Sequence, residues 1–264
     1  MQAAAQAATT ATIRFLPGIC AEPVRNGAAP VAGTLCSSCH LRELCLPAGL
    51  EGRDVQSLDR LMFARRRLRE GQAVYREGEK FLYLYAVRSG TFKSSVNFRD
   101  GREQVTGFQM AGELLGLDGM ADCMHATTAI ALEDAEVCSI PYHQLTELAG
   151  GSTDMQRVIS RIMSREIVRE HGVMSLLGSM TAEQRVAAFL LNVSQRLKAR
   201  GYSPSEFHLR MSRADIGSYL GMKLETVSRT LSAFQQQRLL DVQKKHIRIV
   251  DQEGLVRVFE SGLQ

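Results

Sequence analysis

The spacing of hydrophobic positions changes period once along the chain. From Leu68 to about Ile140, short runs rich in β-branched and aromatic residues alternate with glycine turns. Residues 81–87 end at Arg88-Ser89-Gly90, residues 91–98 end at Arg99-Asp100-Gly101, and residues 103–110, 126–132 and 135–140 follow, the last closed by Pro141. Strands of this length, punctuated by Ser-Gly and Asp-Gly, predict an antiparallel sandwich or small barrel. Past Ser152 the period becomes helical. No proline interrupts the chain from Ser152 to Gly178, and Ile159, Met163, Ile167, Met174 and Leu177 recur at helical spacing with Glu170 in the same stripe. This predicts a helix of about 25 residues. Its apolar stripe is narrow and edged by Arg157, Arg161, Arg165 and Arg169, the pattern of a helix-to-helix dimer seam, with a buried core helix as the alternative. Thr181 and Gln184 then form a capping box at the start of a second amphipathic helix. Residues 1 to about 30 are rich in Ala, Thr and Gly, lack periodicity and read as a disordered tail.

In the last third, Arg213–Leu220 can form one short helix, Gly221 breaks it, and a second runs from Leu224 to about Gln236. Two short helices joined by a tight glycine-bearing turn are the mark of a helix-turn-helix. Glu225, Ser228 and Arg229 stand at i, i+3 and i+4, on one face near the start of the second helix. Arginine can grip guanine with two bonds, glutamate accepts from cytosine, and serine adapts to either, so the trio suits a major groove. Residues 239–251 read as a hairpin with Lys244 and Lys245 at its tip, a wing able to touch phosphate. The competing reading is an ordinary surface pair between Glu225 and Arg229.

Composition supports two domains and little else. The 264 residues are 45% hydrophobic and 23% charged, with a net charge of +4. No stretch has the ~18 uninterrupted apolar residues of a membrane span. The N-terminus lacks the basic and apolar regions of a signal peptide, so a cytoplasmic location and no membrane partner are expected. The charge is uneven. Ser179–Gln264 holds 13 Lys and Arg against 8 Asp and Glu, a net of +5, which leaves about −1 for the preceding residues. A basic C-terminal third implies a polyanion partner.

In a reducing compartment the six cysteines are expected to be thiols, metal ligands or redox sensors rather than disulfides. Cys36, Cys39 and Cys45 fall within ten residues, and closely spaced soft thiolates suit an iron–sulfur cluster or zinc. Spacing leaves the fourth ligand open among Cys20, Cys123, Cys138 and, for zinc, His40.

A Cys-x2-Cys-x5-Cys segment, a β-sandwich, a long helix and a helix-turn-helix carrying Glu-x-x-Ser-Arg occur here in that order. This arrangement resembles the cyclic-AMP receptor protein superfamily, and within it the oxygen-sensing fumarate and nitrate reduction regulator (FNR) branch. The resemblance covers about residues 33–250 and runs through residues 84–94, 103–120, 136–145 and 212–229. It implies an α+β fold with a cysteine cluster-binding segment over 31–50, an antiparallel β-roll or jelly-roll sensor domain over 51–150, a dimerisation helix over 151–178 and a winged helix-turn-helix domain over 179–264. It further implies a [4Fe-4S] cluster held by Cys36, Cys39, Cys45 and Cys138, with Cys20 and Cys123 at no ligand position. A homodimer would form while the cluster is intact, with Ile167 and Glu170 at the switch. Glu225, Ser228 and Arg229 match the base-reading trio of the branch, implying double-stranded DNA with a TTGAT-type inverted repeat. The loop Asn97–Gln104 lies where the family contacts RNA polymerase. Gly112-Glu113-Leu114 matches the family's nucleotide pocket, but the Arg-Ser pair that holds cyclic phosphate is missing, so cyclic nucleotide binding is not expected.

The sequence is also compatible with two rival functions. One is a regulator of the same superfamily whose cysteines hold zinc and whose sandwich binds an effector. The other is an enzyme or electron carrier using Cys-x-x-Cys as a dithiol, against which the chain shows no Gly-rich nucleotide loop, no paired catalytic carboxylates and no Ser/His/Asp set.

Overall fold

The structure, a computed structural model, describes residues 35–61 and 64–261. The tail expected over 1–30, the first residues of the cysteine segment and Cys20 lie outside the described residues. The sensor part begins with a 3-10 turn, Cys36–Ser38, and the helix α1, Gly52–Asp59, and continues as eight strands. These are β1 (Ala64–Leu68), β2 (Ala73–Tyr75), β3 (Tyr83–Ser89), β4 (Thr91–Asn97), β5 (Glu103–Met110), β6 (Leu114–Leu115), β7 (Thr128–Ala131) and β8 (Ala135–Pro141). They form two antiparallel sheets, ordered β1-β8-β3-β6 and β2-β7-β4-β5. Phe92, Val87, Val137, Leu115 and Ala129 fill the space between them and are almost fully buried. Deleting the Phe92 ring leaves a void that rigid sheets cannot close, so Phe92→Ala should destabilise the chain by about 3–5 kcal/mol, read as a shift in the denaturant midpoint.

Three strands escaped the alternation. β1 reads Ala-Arg-Arg-Arg-Leu, with only Leu68 buried, so its membership is decided by the ladder to β8, where Arg65 stands opposite Cys138 and Leu68 opposite Ala135. β2 and β6 have three and two residues, too few to show a period.

After α2 (Tyr142–Gly150) comes the long helix α3, Thr153–Ser179, N-capped by Ser152. The expected single stripe divides into two. Ile159 and Leu177 lie half-buried against their own subunit, Ile159 beside the core built on Leu46, Leu84 and Met155. Met163, Ile167 and Met174 remain exposed at 43%, 54% and 59%, the first two at the edge of a cavity against the sensor sheet. A 27-residue helix passes over several partners, and each end packs on whatever its own chain places beneath it.

The C-terminal part comprises α4 (Ala182–Ala199), β9 (Glu206–His208), α5 (Arg213–Tyr219), α6 (Leu224–Gln236), β10 (Leu240–Gln243), β11 (His246–Ile249) and α7 (Gln252–Glu260). The capping box of Thr181 and Gln184 is present, and a second one joins Ser212 to Asp215. Gly221, between α5 and α6, has φ +63°, the left-handed value that glycine accepts without strain. The core of this part takes in Val105, Phe108 and Met110 of β5, so the helix-turn-helix is docked on the sensor sheet.

Candidate functional site

Two groups of side chains carry chemistry. The first lies on the outer face of the sheet containing β8. Along β8, Val137 points into the sandwich, while Glu136 and Cys138 turn to the opposite face. The cysteine segment lies over that face, anchored by Leu41, Leu46 and Leu50, all buried. Turns hold its backbone: Cys39 N–H donates to Cys36 O at 3.3 Å, Cys45 N–H to Leu41 O at 3.0 Å and Ala48 N–H to Cys45 O at 3.0 Å. Ser37 N–H donates to Asp59 Oδ1 at 3.1 Å, tying the segment to α1.

Cys36, Cys39, Cys45 and Cys138 are free thiols, each partly buried. Burial, reinforced by negative charge from Cys45, Asp59, Cys138 and Cys39, pushes Cys36 up to about 12. Burial, with smaller contributions from Cys138 and Cys39, also pushes Cys45 up to about 12, while the Leu46 N–H pulls it down. Cys138 is raised by burial and by Cys39 and Glu136, while Arg88 and Arg65 pull it down. Burial therefore keeps Cys36, Cys45 and Cys138 as neutral thiols, and a bound cation would be what draws their protons off. Among the described residues no set of three or more His, Cys, Asp or Glu already stands in metal-ligand geometry. The donor set itself, four partly buried soft thiols, has the chemistry of an iron–sulfur or zinc ligand set. Cys123 is held in a disulfide, which corrects the expectation that the cysteines are thiols, metal ligands or redox sensors rather than disulfides. His40 is exposed.

The second group is on α6. Val227, Thr230, Leu231 and Phe234 are its buried face, which turns Glu225, Ser228 and Arg229 outward; Glu225 and Arg229 are exposed. Neither Glu225 nor Arg229 makes an ion pair among the described residues, so the surface-pair reading of these two is not what the structure displays. No side chain caps the start of α6, leaving its first N–H groups for an anion. The wing tip divides its two lysines. Lys244 sits at φ +57° with its ammonium exposed, whereas Lys245 Nζ donates to Arg210 O at 3.1 Å.

Ile167 and Glu170 line a cavity of about 290 Å³ between the sheets and α3, together with Ser94, Gln109, Asp118 and Arg169. The Arg169 guanidinium is paired with Glu166, so it is not the free cation a phosphate would require. Glu170 is exposed and unpaired among the described residues. Sequence reasoning missed the role of Glu113. Rather than facing that cavity, its carboxylate is bound by Arg196 of α4 and by Arg200, which caps the C-terminal end of that helix. The signal was two like charges at i, i+4 on one helix, an arrangement that repels unless an acid joins it.

Residues 65–151 match the cyclic nucleotide-binding domain family and residues 184–258 the Crp-like helix-turn-helix domain family. The transcriptional activator protein FnrA of Stutzerimonas stutzeri is 44% identical over 220 residues, covering 83% of this chain and 90% of that protein. The fumarate and nitrate reduction regulatory protein of Yersinia pestis is 40% identical over 223 residues, 84% of this chain and 89% of its own length. Among solved structures, FixK2 from Bradyrhizobium japonicum superposes with a TM-score of 0.70 at 32% identity, covering 75% of this chain and 98% of that one. No helix among the described residues is long and apolar enough to cross a membrane.

Proposed function

The chain belongs to the FNR branch of the cyclic-AMP receptor protein family of DNA-binding transcription regulators, and from that premise we propose that it senses oxygen. In this reading Cys36, Cys39, Cys45 and Cys138 hold a [4Fe-4S] cluster, the loaded chain forms a homodimer along α3, and the dimer reads a TTGAT-type inverted repeat to control anaerobic genes in the cytoplasm. What supports it above all is that Cys36 and Cys45 of the loop and Cys138 of β8, all free thiols, pack against one apolar cluster, with Cys39 in the same loop. When bound, such a cluster supplies iron–sulfide bonds that oxygen breaks, changing the charge and shape of its pocket. The protein's own residues do the rest. Leu41, Leu46 and Leu50 keep the loop seated and water out. Arg65 and Arg88, both near Cys138, offset part of the thiolate charge. Met163, Ile167 and Met174 offer the apolar area a second copy would cover, and Glu170 interrupts it.

Zinc is the second reading, favoured by the same all-thiol donor set. Oxygen-free purification followed by iron and sulfide analysis, beside a gel shift, decides between them. Iron, acid-labile sulfide and an oxygen-bleached brown colour are expected; a colourless protein with one zinc per chain would overturn the oxygen-sensing reading. Cyclic nucleotide is not expected in the cavity, because its arginine is already paired. The loop Asn97–Gln104 is assigned to RNA polymerase; there Phe98 is half-exposed beneath Arg102, 5.6 Å from the ring centre.

For DNA, Arg229→Ala should cost about 1–3 kcal/mol at the guanine it reads and relax specificity at that base pair. Lys244→Ala should weaken all duplexes equally and make the salt dependence shallower, since a phosphate contact carries no sequence information. Lys245→Ala should do less, its ammonium being committed to Arg210 O. Fluorescence anisotropy across half-site variants and salt concentrations separates the three; a uniform loss from Arg229→Ala would reduce that residue to a phosphate contact.

A further inference from the structure

We propose that Glu113 is a positioning residue for the DNA-binding domain, and that the cysteine segment acts on it directly within one subunit, through Leu44 and Gly112. Glu113 sits in the turn joining β5 to β6, and both its oxygens are fully used. Oε1 accepts from Arg196 Nε at 3.0 Å and from Arg200; Oε2 accepts from Arg196 and from Met110 N–H at 3.1 Å. The two arginines also bind the backbone around the turn, Arg196 donating to Phe108 O at 2.7 Å and Arg200 to Ala111 O at 2.7 Å. Arg200 is 6% exposed and Arg196 18%. Charge-assisted bonds in a partly dry site are strong and directional, so this joint fixes the angle of α4 against the sensor sheet.

The other side of the same turn touches the cysteine segment. Gly112 has φ +88°, and a Cβ placed on it would lie 2.7 Å from that of Leu44. Leu44 directly precedes Cys45. Gly112 N–H donates to Val87 O at 2.8 Å and Val87 N–H to Glu113 O at 2.9 Å, so the turn rests on β3 and cannot simply float away. A rearrangement of residues 39–45 thus meets the Gly112 backbone first and the arginine-bound carboxylate one residue later. Further bonds tie α5 to β4 and β5: Val105 N–H to Ser218 Oγ at 2.8 Å, and Lys93 Nζ to Asp215 at 2.9 Å. The recognition helix follows α5, so its aim depends on this docking. A rigidly held reader binds with less ordering cost than a loose one. The route needs no second subunit and runs beside the α3 seam rather than through it. It rests on the reading that residues 36–45 rearrange with their bound group.

The test is a double-mutant cycle in the full chain, Leu44→Ala against Glu113→Gln. It is read by amide hydrogen exchange over residues 193–201 without DNA, by operator affinity, and by sedimentation. Each single change should speed exchange at the end of α4. Glu113→Gln should lower operator affinity about tenfold, the scale of losing a bond to a charged group. Leu44→Ala should lower it about threefold, and the double variant should match Glu113→Gln alone, because coupled sites are not additive. The dimer fraction should stay that of the unaltered chain. Additive effects, exchange changes confined to residues 108–115, or a fall in dimer fraction that accounts for the lost affinity would each overturn the proposal. If Glu113→Gln does not fold, Arg196→Lys replaces it, losing the two-pronged grip but keeping the charge. Failure of the unaltered chain to bind any duplex or iron would sink the functional reading, while the exchange cycle, measured without either, would still decide the joint.

Discussion

Serine at Cys138 should strip the anaerobically purified protein of its iron and its visible colour, while serine at Cys123 should leave both. Cys138 is the proposed ligand contributed by a strand rather than by the loop. Its backbone is locked in the ladder between Arg65 and Ala86, so the loop must come to it. A serine oxygen there is a harder ligand that iron–sulfur centres hold poorly. The same loss is expected at Cys36, Cys39 and Cys45. Iron and sulfide assays alongside the visible spectrum measure it. Full iron in Cys138→Ser together with loss in Cys123→Ser would reverse the ligand assignment.

Removing one charge from α3 should have the next largest effect: iron-free Glu170→Ala should dimerise in air and bind its operator. Glu170 shares the outward face with Met163, Ile167 and Met174. The neighbouring Arg169 is taken by Glu166, so no guanidinium on the same helix neutralises it. In a parallel pair each glutamate would approach its mate across a partly dry seam, and such juxtaposition costs up to several kcal/mol. A two-state equilibrium balanced within a few kcal/mol tips when that cost is removed. The iron-free chain should therefore be monomeric and the variant dimeric at micromolar concentration. A monomeric Glu170→Ala in sedimentation would show that the charge is no brake. The opposite change, Ile167→Glu, should prevent dimerisation even with the pocket loaded.

Local sequence already carries much of this molecule. Glycine turns delimit the longer strands because only residues tolerant of the left-handed region close tight hairpins. Thr181 with Gln184 marks a helix start through local bonds. The breaker Gly221 between two apolar-faced segments announces the helix-turn-helix, and the outward trio on α6 follows from helical period once Val227, Leu231 and Phe234 are taken as its core. These features depend on neighbours within a few residues, which is the range over which a sequence speaks for itself.

Other features are decided across longer distances. β1 is a run of arginines that becomes a strand because β8 offers it a ladder. The stripe on α3 divides because different parts of the same chain lie under its two ends. Cys138 approaches Cys36 and Cys45, about a hundred residues before it in the chain, only because the cysteine segment folds over the outer face of β8. Glu113 carried a family expectation of a nucleotide pocket, yet Arg196 and Arg200 claim its carboxylate. A carboxylate goes to the cations that surround it in space, and which cations those are is set by how β5 and α4 pack. The sequence by itself determined the local elements, the motif order and the residues able to carry the chemistry. Tertiary structure alone decided which of those residues meet, because burial and charge pairing depend on distances that only the folded chain defines.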